Sequence, residues 1–126
     1  MMVNEAIFSP KLPQTGRPFS HGFKGGVFLF TSGQVGTDPQ SGQVSPDIET
    51  QTKQTLENVE AVLQAGGYSR RDVVKVTVFL TDIRDYHAMN KVYGSFFREP
   101  YPARSCVEAK LADPDLRVEI EAIACK

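Results

Sequence analysis

Eight consecutive residues near the middle of the chain, Val73–Leu80, constrain its fold more than any other segment. Five of the eight are valine or threonine, and only Lys75 is charged. Branched and aromatic side chains favour an extended backbone, and so apolar a run is typical of a strand buried on at least one face. The chain is therefore predicted to form a sheet in which this segment is a central strand.

The chain has 126 residues, of which 40% are apolar. This size and composition are typical of one globular domain, which is expected to span residues 1–126. Cys106 and Cys125 are too few for a disulfide framework and lie in no zinc motif. The 14 basic and 15 acidic residues give a net charge of −1, which argues against nucleic acid or an anionic membrane as the main partner. Residues 1–6 lack a signal-peptide pattern and no stretch reaches the roughly 20 apolar residues of a membrane span, so a cytoplasmic location is expected.

Turn residues and apolar runs divide the remaining chain into short strands. They are predicted at residues 4–9, 19–23, 27–31, 103–109 and 117–124. Residues 19–31 have the pattern of a β-hairpin, because Lys24-Gly25-Gly26 separates two apolar runs and glycine tolerates a positive φ. Ser32-Gly33-Gln34 is expected to end the second strand of that hairpin.

Two segments have apolar residues at helical spacing. The first helix is predicted to begin at Ser45-Pro46 and to end at Gly66-Gly67, because serine is a good N-cap and proline suits the first helical position. The second begins at Asp82 or Asp85. One side of the second helix carries Ile83, Tyr86, Met89 or Asn90, Tyr93 and Phe97. The prediction is an α+β two-layer domain: a mixed six-stranded sheet, both helices on one face, and another subunit covering the other face.

The common catalytic motifs are missing from the sequence. It contains no glycine-rich phosphate loop, no His-Glu-x-x-His and no Gly-x-Ser-x-Gly, which argues against nucleotide, zinc-protease and serine-esterase chemistry. His21 and His87 are the only histidines, and neither has a neighbour in the sequence that indicates a triad. His87 is expected to lie on the surface of the second helix.

The polar side chains that most need an explanation lie in the last two strands. Strand alternation puts Arg104, Cys106 and Glu108 on one face, and Glu119 and Glu121 together on a face of the final strand. A charged side chain in an apolar strand needs a partner. Two alternatives remain open: an ion pair between the arginine and a strand glutamate, or a small-molecule carboxylate, which a guanidinium holds through two hydrogen bonds.

Four blocks of sequence together resemble the Rid family of reactive intermediate deaminases, also called YjgF-type proteins. They are Thr-Ser-Gly-Gln at 31–34, Asp-Pro at 38–39 followed by Gly42, Tyr-Pro-Ala-Arg-Ser-Cys-Val-Glu at 101–108, and Val-Glu-Ile-Glu-Ala-Ile-Ala at 118–124. Each block alone is a weak signal, but the last two at their usual separation are specific. The resemblance runs from Ile7 to the end of the chain.

The resemblance implies a chorismate-mutase-like α+β fold that assembles as a homotrimer, with sites in the clefts between subunits. It implies the activity of a 2-iminobutanoate/2-iminopropanoate deaminase, which hydrolyses reactive enamines and imines such as 2-aminoacrylate to 2-keto acids and ammonia. The expected ligand is a small imine, enamine or 2-keto acid. No metal and no organic cofactor are expected.

The same resemblance assigns roles to five residues. Arg104 matches the arginine that binds the substrate carboxylate, and Glu119 matches the glutamate that positions water. Cys106 matches the site cysteine, the backbone of Gly33 lines the pocket, and Asn90 matches a pocket asparagine of the second helix. Because free cysteines are often simply buried, Cys106 is expected to form a pocket wall rather than to act as a nucleophile.

One stretch departs from the family pattern. The family commonly has Gly-Pro-Tyr before the first hairpin strand, whereas this chain has Gly16-Arg17-Pro18-Phe19, with one extra residue. Phe19 keeps an aromatic wall for the pocket and removes the hydroxyl. His21 is a possible replacement for that polar group, on the ground that it shares strand parity with Phe19.

Two other functions stay open at the level of sequence. The first is a non-catalytic trimer that binds small molecules such as 2-keto acids through Arg104. The second is an endoribonuclease or translation inhibitor, as some family members are described. The net charge of −1 argues against the second, because Arg70-Arg71 with Lys75 is a small basic cluster rather than a basic stripe.

Overall fold

The computed structural model describes residues 3–126, which form two α-helices and seven β-strands. The strands are β1 (Glu5–Ile7), β2 (Gly22–Gly25), β3 (Phe28–Thr31), β4 (Gln34–Val35), β5 (Val73–Leu80), β6 (Ala103–Glu108) and β7 (Val118–Cys125), and the helices are α1 (Ile48–Ala65) and α2 (Tyr86–Phe96). Residues 1 and 2, which belong to the segment inspected for a signal peptide, lie outside the described residues. Between residues 3 and 126, neither helix combines the length and the apolar character that a bilayer crossing requires.

The seven strands form one mixed sheet in the order β1-β2-β3-β7-β5-β6, with β4 added along β7. Only β5 and β6 run parallel, and the other pairs are antiparallel. β5 is an interior strand, between β7 and the edge strand β6, and its alternate residues Val76, Val78 and Leu80 are fully buried. The β-branched run therefore forms a strand with one face in the core.

The prediction of six strands is wrong by one, because two separate segments, β3 and β4, pair with β7. β3 pairs with residues 123–125, and β4 pairs with Glu119 and Ile120 after an interruption at Ser32-Gly33. At the interruption the Ser32 N–H donates to the carbonyl of His21 at 2.9 Å, and its hydroxyl donates to that of Ser20 at 2.6 Å. The chain thus leaves the sheet for two residues and returns beside Glu119.

The predicted hairpin forms, but its first strand begins at Gly22 rather than at residue 19. The N–H of Phe19 donates to the carbonyl of Arg17 at 2.8 Å in a tight turn, so Phe19 precedes the strand. Because Gly25 pairs with Phe28, the reversal is Gly26-Val27, where Gly26 has a φ of 60°. Glycine reaches that conformation without steric cost.

The start of the first helix also differs from expectation, whereas the second helix begins directly after Asp85, one of the two predicted residues. Asp47, not Ser45, is the N-cap of α1, and its carboxylate accepts the N–H of Thr50 at 2.8 Å. A carboxylate stabilises this end better than a hydroxyl because it also interacts with the positive end of the helix dipole. Asp82 caps a 3₁₀ turn at Ile83–Asp85 that precedes α2, which leaves Ile83 exposed and outside the buried stripe.

Both helices pack on one face of the sheet, as predicted. Their buried side chains form one cluster with the inward residues of β3, β5 and β7, including Leu29, Leu56, Val59, Leu63, Val76, Val78, Met89, Tyr93, Val118 and Ile120. The opposite face, called the open face below, carries Phe23, Phe28, Phe30 and Val107, which are 41–46% exposed. Four large apolar side chains on one face form the kind of surface that usually marks an interaction site.

An ion pair connects the residue before β7 to the start of α2. Nη2 of Arg117 lies 2.8 Å from both carboxylate oxygens of Asp85, and Nη1 donates to the carbonyl of Pro46 at 2.8 Å. The buried side chain of Gln51 accepts the N–H of Arg117 at 2.7 Å. These bonds fix the entry to β7 against both helices.

Candidate functional site

The guanidinium of Arg104 lies on the helix-facing side of β6, in a cradle formed by α2. Nη2 donates to the hydroxyl of Tyr86 at 3.1 Å, and Nη1 lies 3.9 Å from the sulfur of Met89. The guanidinium carbon is 4.7 Å from the ring centroid of Tyr93 and 5.5 Å from that of Tyr86. Tyr86, Met89 and Tyr93 share one side of α2 because they are three and four residues apart. The two tyrosine rings contact the cation through cation–π interactions.

Arg104 has no acidic partner in the part of the chain that the structure describes. The ion pairs of residues 3–126 are Arg70–Glu60, Arg84–Asp82, Lys91–Glu49 and Arg117–Asp85. A guanidinium carries five N–H donors, and the cradle uses two of them. Of the two alternatives left by the sequence, the ion pair with a strand glutamate is not formed. The cation remains able to bind an anion.

Tyr93 lies under the guanidinium and is itself almost fully buried. Burial raises the pKa of its hydroxyl to about 12, against the opposing effect of the nearby Arg104 charge. This hydroxyl is buried and has no hydrogen-bond partner among residues 3–126. A buried hydroxyl without a partner is uncommon in native structures and costs free energy, so this ring is held in place by packing rather than by hydrogen bonding.

Cys106 lies near the same cradle, and Asn90 lies on the helix that forms it. Cys106 follows Arg104 by two residues on the same face of β6, and its side chain packs against the core. Burial raises the pKa of the thiol, and the positive charge of Arg104 offsets part of that rise. A raised pKa favours the thiol over the nucleophilic thiolate. Asn90 is half-buried on α2, between Tyr86 and Tyr93.

Glu119 and Gly33 form a second group, on the other face of the sheet. Glu119 pairs with Val35 of β4 on one side and with Phe79 of β5 on the other. A side-chain carbon added at Gly33 would overlap the Glu119 carboxylate. Burial, and secondarily the charge of Glu121, raise the pKa of Glu119. A carboxylate with a raised pKa is better suited to accept and return protons near neutral pH.

The two groups lie on opposite faces of the sheet within one chain. Arg104 pairs with Val76, which points into the core, whereas Glu119 pairs with Phe79, which points the other way. Side chains of successive strand residues alternate between faces. One small molecule therefore cannot contact both side chains of a single chain across the sheet.

Phe19 lies apart from the hairpin strand and is 50% exposed. It lines a cavity together with Gly33, so it remains a wall beside the second group. His21, in contrast, has both ring nitrogens occupied: Nδ1 accepts the N–H of Ser9 at 2.9 Å, and Nε2 lies 3.1 Å from the carbonyl of Pro13. The suggestion that His21 supplies a free polar group to the site is wrong, because its ring fixes the preceding loop. His87 is exposed on α2, as expected.

The sequence does not assign Tyr86, Met89 or Tyr93 to the arginine site. Their spacing on α2 predicts a core stripe, and only the position of Arg104 shows that the stripe also contacts a cation. No group of three or more His, Cys, Asp or Glu side chains placed to hold a metal occurs among residues 3–126.

The sequence and the fold both have clear relatives. The profile of a family described as Endoribonuclease L-PSP matches residues 10–126. A RutC family protein of Pyrococcus horikoshii is 47% identical over 125 residues, which cover 98% of this chain and 99% of that protein. A protein named 2-iminobutanoate/2-iminopropanoate deaminase, from Salmonella typhimurium, is 39% identical over 127 residues, with the same coverage of 98% and 99%.

Solved structures show the same arrangement of helices and sheet. The crystal structure of Escherichia coli TdcF with bound serine matches with a TM-score of 0.90 and 40% identity, over 97% of this chain and 98% of TdcF. The crystal structure of the E. coli YjgF gene product matches with a TM-score of 0.90 and 38% identity, again over 97% and 98%. The profile match over most of the chain and these relatives show that the protein belongs to the Endoribonuclease L-PSP family, also known as the YjgF or Rid family.

Proposed function

We propose that this protein is an imine deaminase of the 2-iminobutanoate/2-iminopropanoate type. The observation that carries the proposal is the Arg104 guanidinium, which is held by Tyr86, Met89 and Tyr93 and has no acidic partner in the described chain. A preorganised cation of this kind suits a ligand with a carboxylate. The 39% identical relative named 2-iminobutanoate/2-iminopropanoate deaminase points to the same class of substrate.

The reaction is the hydrolysis of a carbon–nitrogen double bond. A 2-imino acid takes up one water molecule at its imine carbon, and the resulting carbinolamine loses ammonia to give the 2-keto acid. An enamine such as 2-aminoacrylate first gains a proton on its methylene carbon and loses one from its nitrogen, which gives the imine. No electrons are transferred to an external acceptor. The uncatalysed reaction is already fast for such imines, so a modest lowering of the barrier is sufficient.

Arg104 binds the substrate carboxylate in this proposal. Three of its N–H donors are left over by the cradle, enough for a bidentate interaction with two carboxylate oxygens. Because the Tyr93 and Tyr86 rings fix the guanidinium, binding places the imine carbon at a defined position relative to the strand. Fixing two reactants in the correct geometry is a large source of rate enhancement. Asn90 and Cys106 line the same side of the substrate.

Glu119 positions the attacking water and moves protons to the leaving nitrogen. Its raised pKa allows it to accept a proton from water and then to donate one to the departing amine. Gly33 leaves the space that the carboxylate needs, and the Gly33 backbone together with Phe19 forms the wall of the pocket. Cys106 contributes surface rather than a covalent bond, consistent with its raised pKa.

We further propose that the site is completed by a second copy of the chain in a homotrimer. Arg104 and Glu119 of one protomer lie on opposite faces of the sheet, so a shared substrate requires Arg104 from one copy and Glu119 from another. The exposed phenylalanines of the open face support assembly, since their burial is favourable by roughly 25 cal/mol per Å². Sedimentation equilibrium that shows only monomers at working concentrations contradicts this part of the proposal.

The test is a panel of imines generated in situ by an amino-acid oxidase, with release of 2-keto acid measured above the uncatalysed rate. Arg104→Ala is expected to lower kcat/KM by about 10²-fold or more, because hydrogen bonds to a charged group are worth ~1.5–3 kcal/mol each. Arg98→Ala, at an exposed arginine outside the site, is the matched control and leaves the rate unchanged. Arg104-dependent binding of a 2-keto acid with no hydrolysis of any imine identifies a non-catalytic binder instead.

A further inference from the structure

A cavity of about 570 Å³ lies at the edge of the sheet where the parallel strands β5 and β6 begin. Its wall comes from the turn that precedes β5 and from the loop that joins α2 to β6. The loop brings Arg98 into the same wall as Arg70 and Arg71, which the sequence shows only as a small basic cluster. The volume is within the range of small-molecule sites, roughly 300–1,000 Å³.

One of these three arginines is held in place by the protein. Nε and Nη2 of Arg70 donate to the two carboxylate oxygens of Glu60, at 2.8 and 2.9 Å, and Nη1 donates to the carbonyl of Phe96 at 2.9 Å. The guanidinium carbon lies 4.0 Å from the centroid of the Phe96 ring. Because Glu60 offsets its charge, Arg70 forms part of the wall and leaves the binding of an anion to its neighbours.

The other two arginines have no acidic partner in the part of the chain that the structure describes. Arg71 and Arg98 are exposed and form no ion pair there, and the same holds for Glu99, the acidic residue of the wall. The carboxylate of Asp72 accepts instead from the N–H and the hydroxyl of Ser69, at 2.8 and 3.2 Å. Two unpaired positive charges against one negative charge favour an anion in this cavity.

The floor of the cavity is apolar. Val73 and Phe97 are 7% and 3% exposed and belong to the core, and Pro100 and Pro102 add to the lining. An organic group that lies against these side chains is stabilised by the apolar surface that it buries. The cavity therefore combines a basic rim with an apolar floor.

We propose that this cavity binds a phosphate monoester, with the phosphate between Arg71 and Arg98 and the organic part against the apolar floor. One guanidinium can satisfy both oxygens of a carboxylate, whereas the three terminal oxygens of a phosphate monoester can accept from two guanidiniums at once. Arginines from two separate segments of the chain therefore favour a phosphate. The inference goes beyond the proposed deaminase function, because neither Arg104 nor Glu119 lines this cavity.

The test is a calorimetric titration of the full chain with phenyl phosphate, in a buffer without phosphate. Kd is expected to rise about tenfold in Arg71→Ala and in Arg98→Ala, because each variant removes hydrogen bonds between charged groups. It should fall about twofold in Glu99→Gln, which removes the unpaired negative charge of the wall. All three side chains are exposed, so the variants keep the fold. Absence of saturable binding, or a Kd that neither arginine variant changes, overturns the inference.

Two control variants locate the bound molecule. Arg84→Ala removes an exposed arginine that lies outside the cavity and pairs with Asp82, and Kd should not change. Arg104→Ala removes the other cation that has no acidic partner, and Kd for phenyl phosphate should again stay as in the wild type. Loss of binding in Arg104→Ala would assign the anion to the cradle of α2 and would overturn the inference.

Three further ligands identify the chemistry that is recognised. Inorganic phosphate should bind at least about threefold more weakly than phenyl phosphate, because it leaves the apolar floor uncovered. Benzoate, which has the same ring and a carboxylate, should bind at least about tenfold more weakly. Equal Kd values for phenyl phosphate and either of these ligands overturn the assignment to a phosphate monoester. Tighter binding of a single-stranded RNA without terminal phosphates also overturns it, since that result indicates a surface for phosphodiesters.

Discussion

The arginine group and the glutamate group of this protein are built in different ways. Arg104 lies on a regular strand under a regular helix, and three side chains of α2 hold its guanidinium. Glu119 also lies on a regular strand, but its neighbour Gly33 belongs to an interruption of the sheet, and its carboxylate is partly buried with Glu121 close by. The cation is stabilised where it lies, whereas the carboxylate is held in an environment that disfavours its charge.

This difference suggests that the arginine group serves substrate binding and the glutamate group serves proton transfer. A cation in a fixed position binds the substrate carboxylate equally well in the ground state and in the transition state. A carboxylate with a raised pKa suits repeated proton transfer. Variants of the arginine group should therefore change mainly KM, and variants of the glutamate group should change mainly kcat or its pH dependence.

The largest effect is expected for Glu119→Gln. The amide keeps the size of the side chain but cannot accept a proton, so kcat should fall by roughly 10²–10⁴-fold with a small change in KM. Initial rates across a range of imine concentrations measure both constants. A KM effect without a kcat effect would contradict the assignment of proton transfer to Glu119.

The same variant carries a prediction about stability. A carboxyl whose pKa is raised in the folded state opposes folding when it is ionised, and this cost is absent at pH values below its unfolded pKa. Glu119→Gln removes the cost, so its free energy of unfolding should exceed that of the wild type at pH 7 and converge with it as the pH falls toward 4. Urea titrations at both pH values test the direction.

Gly33→Ala is expected to have the next largest effect. The added methyl group overlaps the Glu119 carboxylate and forces it to move, and a displacement of about 1 Å at a reacting group can cost roughly 10²-fold in rate. Gly25→Ala is the matched control, because the nearest atom to its added carbon is 3.8 Å away. Equal activity of the two variants would show that the position of the carboxylate is not critical.

Tyr86→Phe tests the other side of the comparison. The variant keeps the ring near the guanidinium and removes the hydroxyl that accepts from Nη2 at 3.1 Å. KM should rise about tenfold with kcat nearly unchanged. A tenfold change is close to the lower end of the ~1.5–3 kcal/mol expected for a hydrogen bond to a charged group. Tyr101→Phe, whose hydroxyl lies 3.5 Å from the Gly94 carbonyl at the surface, is the control. A drop in kcat alone would place Tyr86 in the chemistry instead.

The smallest predicted effect is a shift in the pH profile. A general base works when it is ionised, so activity falls as the pH drops through the raised pKa of Glu119. Glu121→Gln removes a negative charge that contributes to that rise, and the acidic limb of the kcat/KM profile should move to lower pH. A shift to higher pH would mean that Glu121 acts in another way.

The elements with strong local signals were predictable from the sequence. Val73–Leu80 forms an interior strand because its β-branched residues favour an extended backbone and its alternate side chains are buried. The two helices form where apolar residues recur at helical spacing. The position of Phe19 is predicted wrongly because the turn at Arg17-Pro18-Phe19 depends on a hydrogen bond from the Phe19 N–H to the Arg17 carbonyl, which has no signal in a hydropathy pattern. β4 was missed for a similar reason, since two residues are too few for a periodicity to appear.

The sequence names candidate residues for the site but not the geometry that places them. Alternation along β6 correctly puts Arg104 and Cys106 on one face, but it cannot say which face the helices cover. That the arginine lies under α2 while Glu119 faces away depends on how β5, β6 and β7 register with one another. The cradle of Tyr86 and Tyr93 follows from this registration, so it becomes visible only in three dimensions.

The ion pair between Arg117 and Asp85 has a mechanical consequence. Arg117 directly precedes β7, two residues before Glu119, and Asp85 directly precedes α2, which carries the cradle of Arg104. A tilt of the helix therefore pulls on the strand unless both hydrogen bonds break.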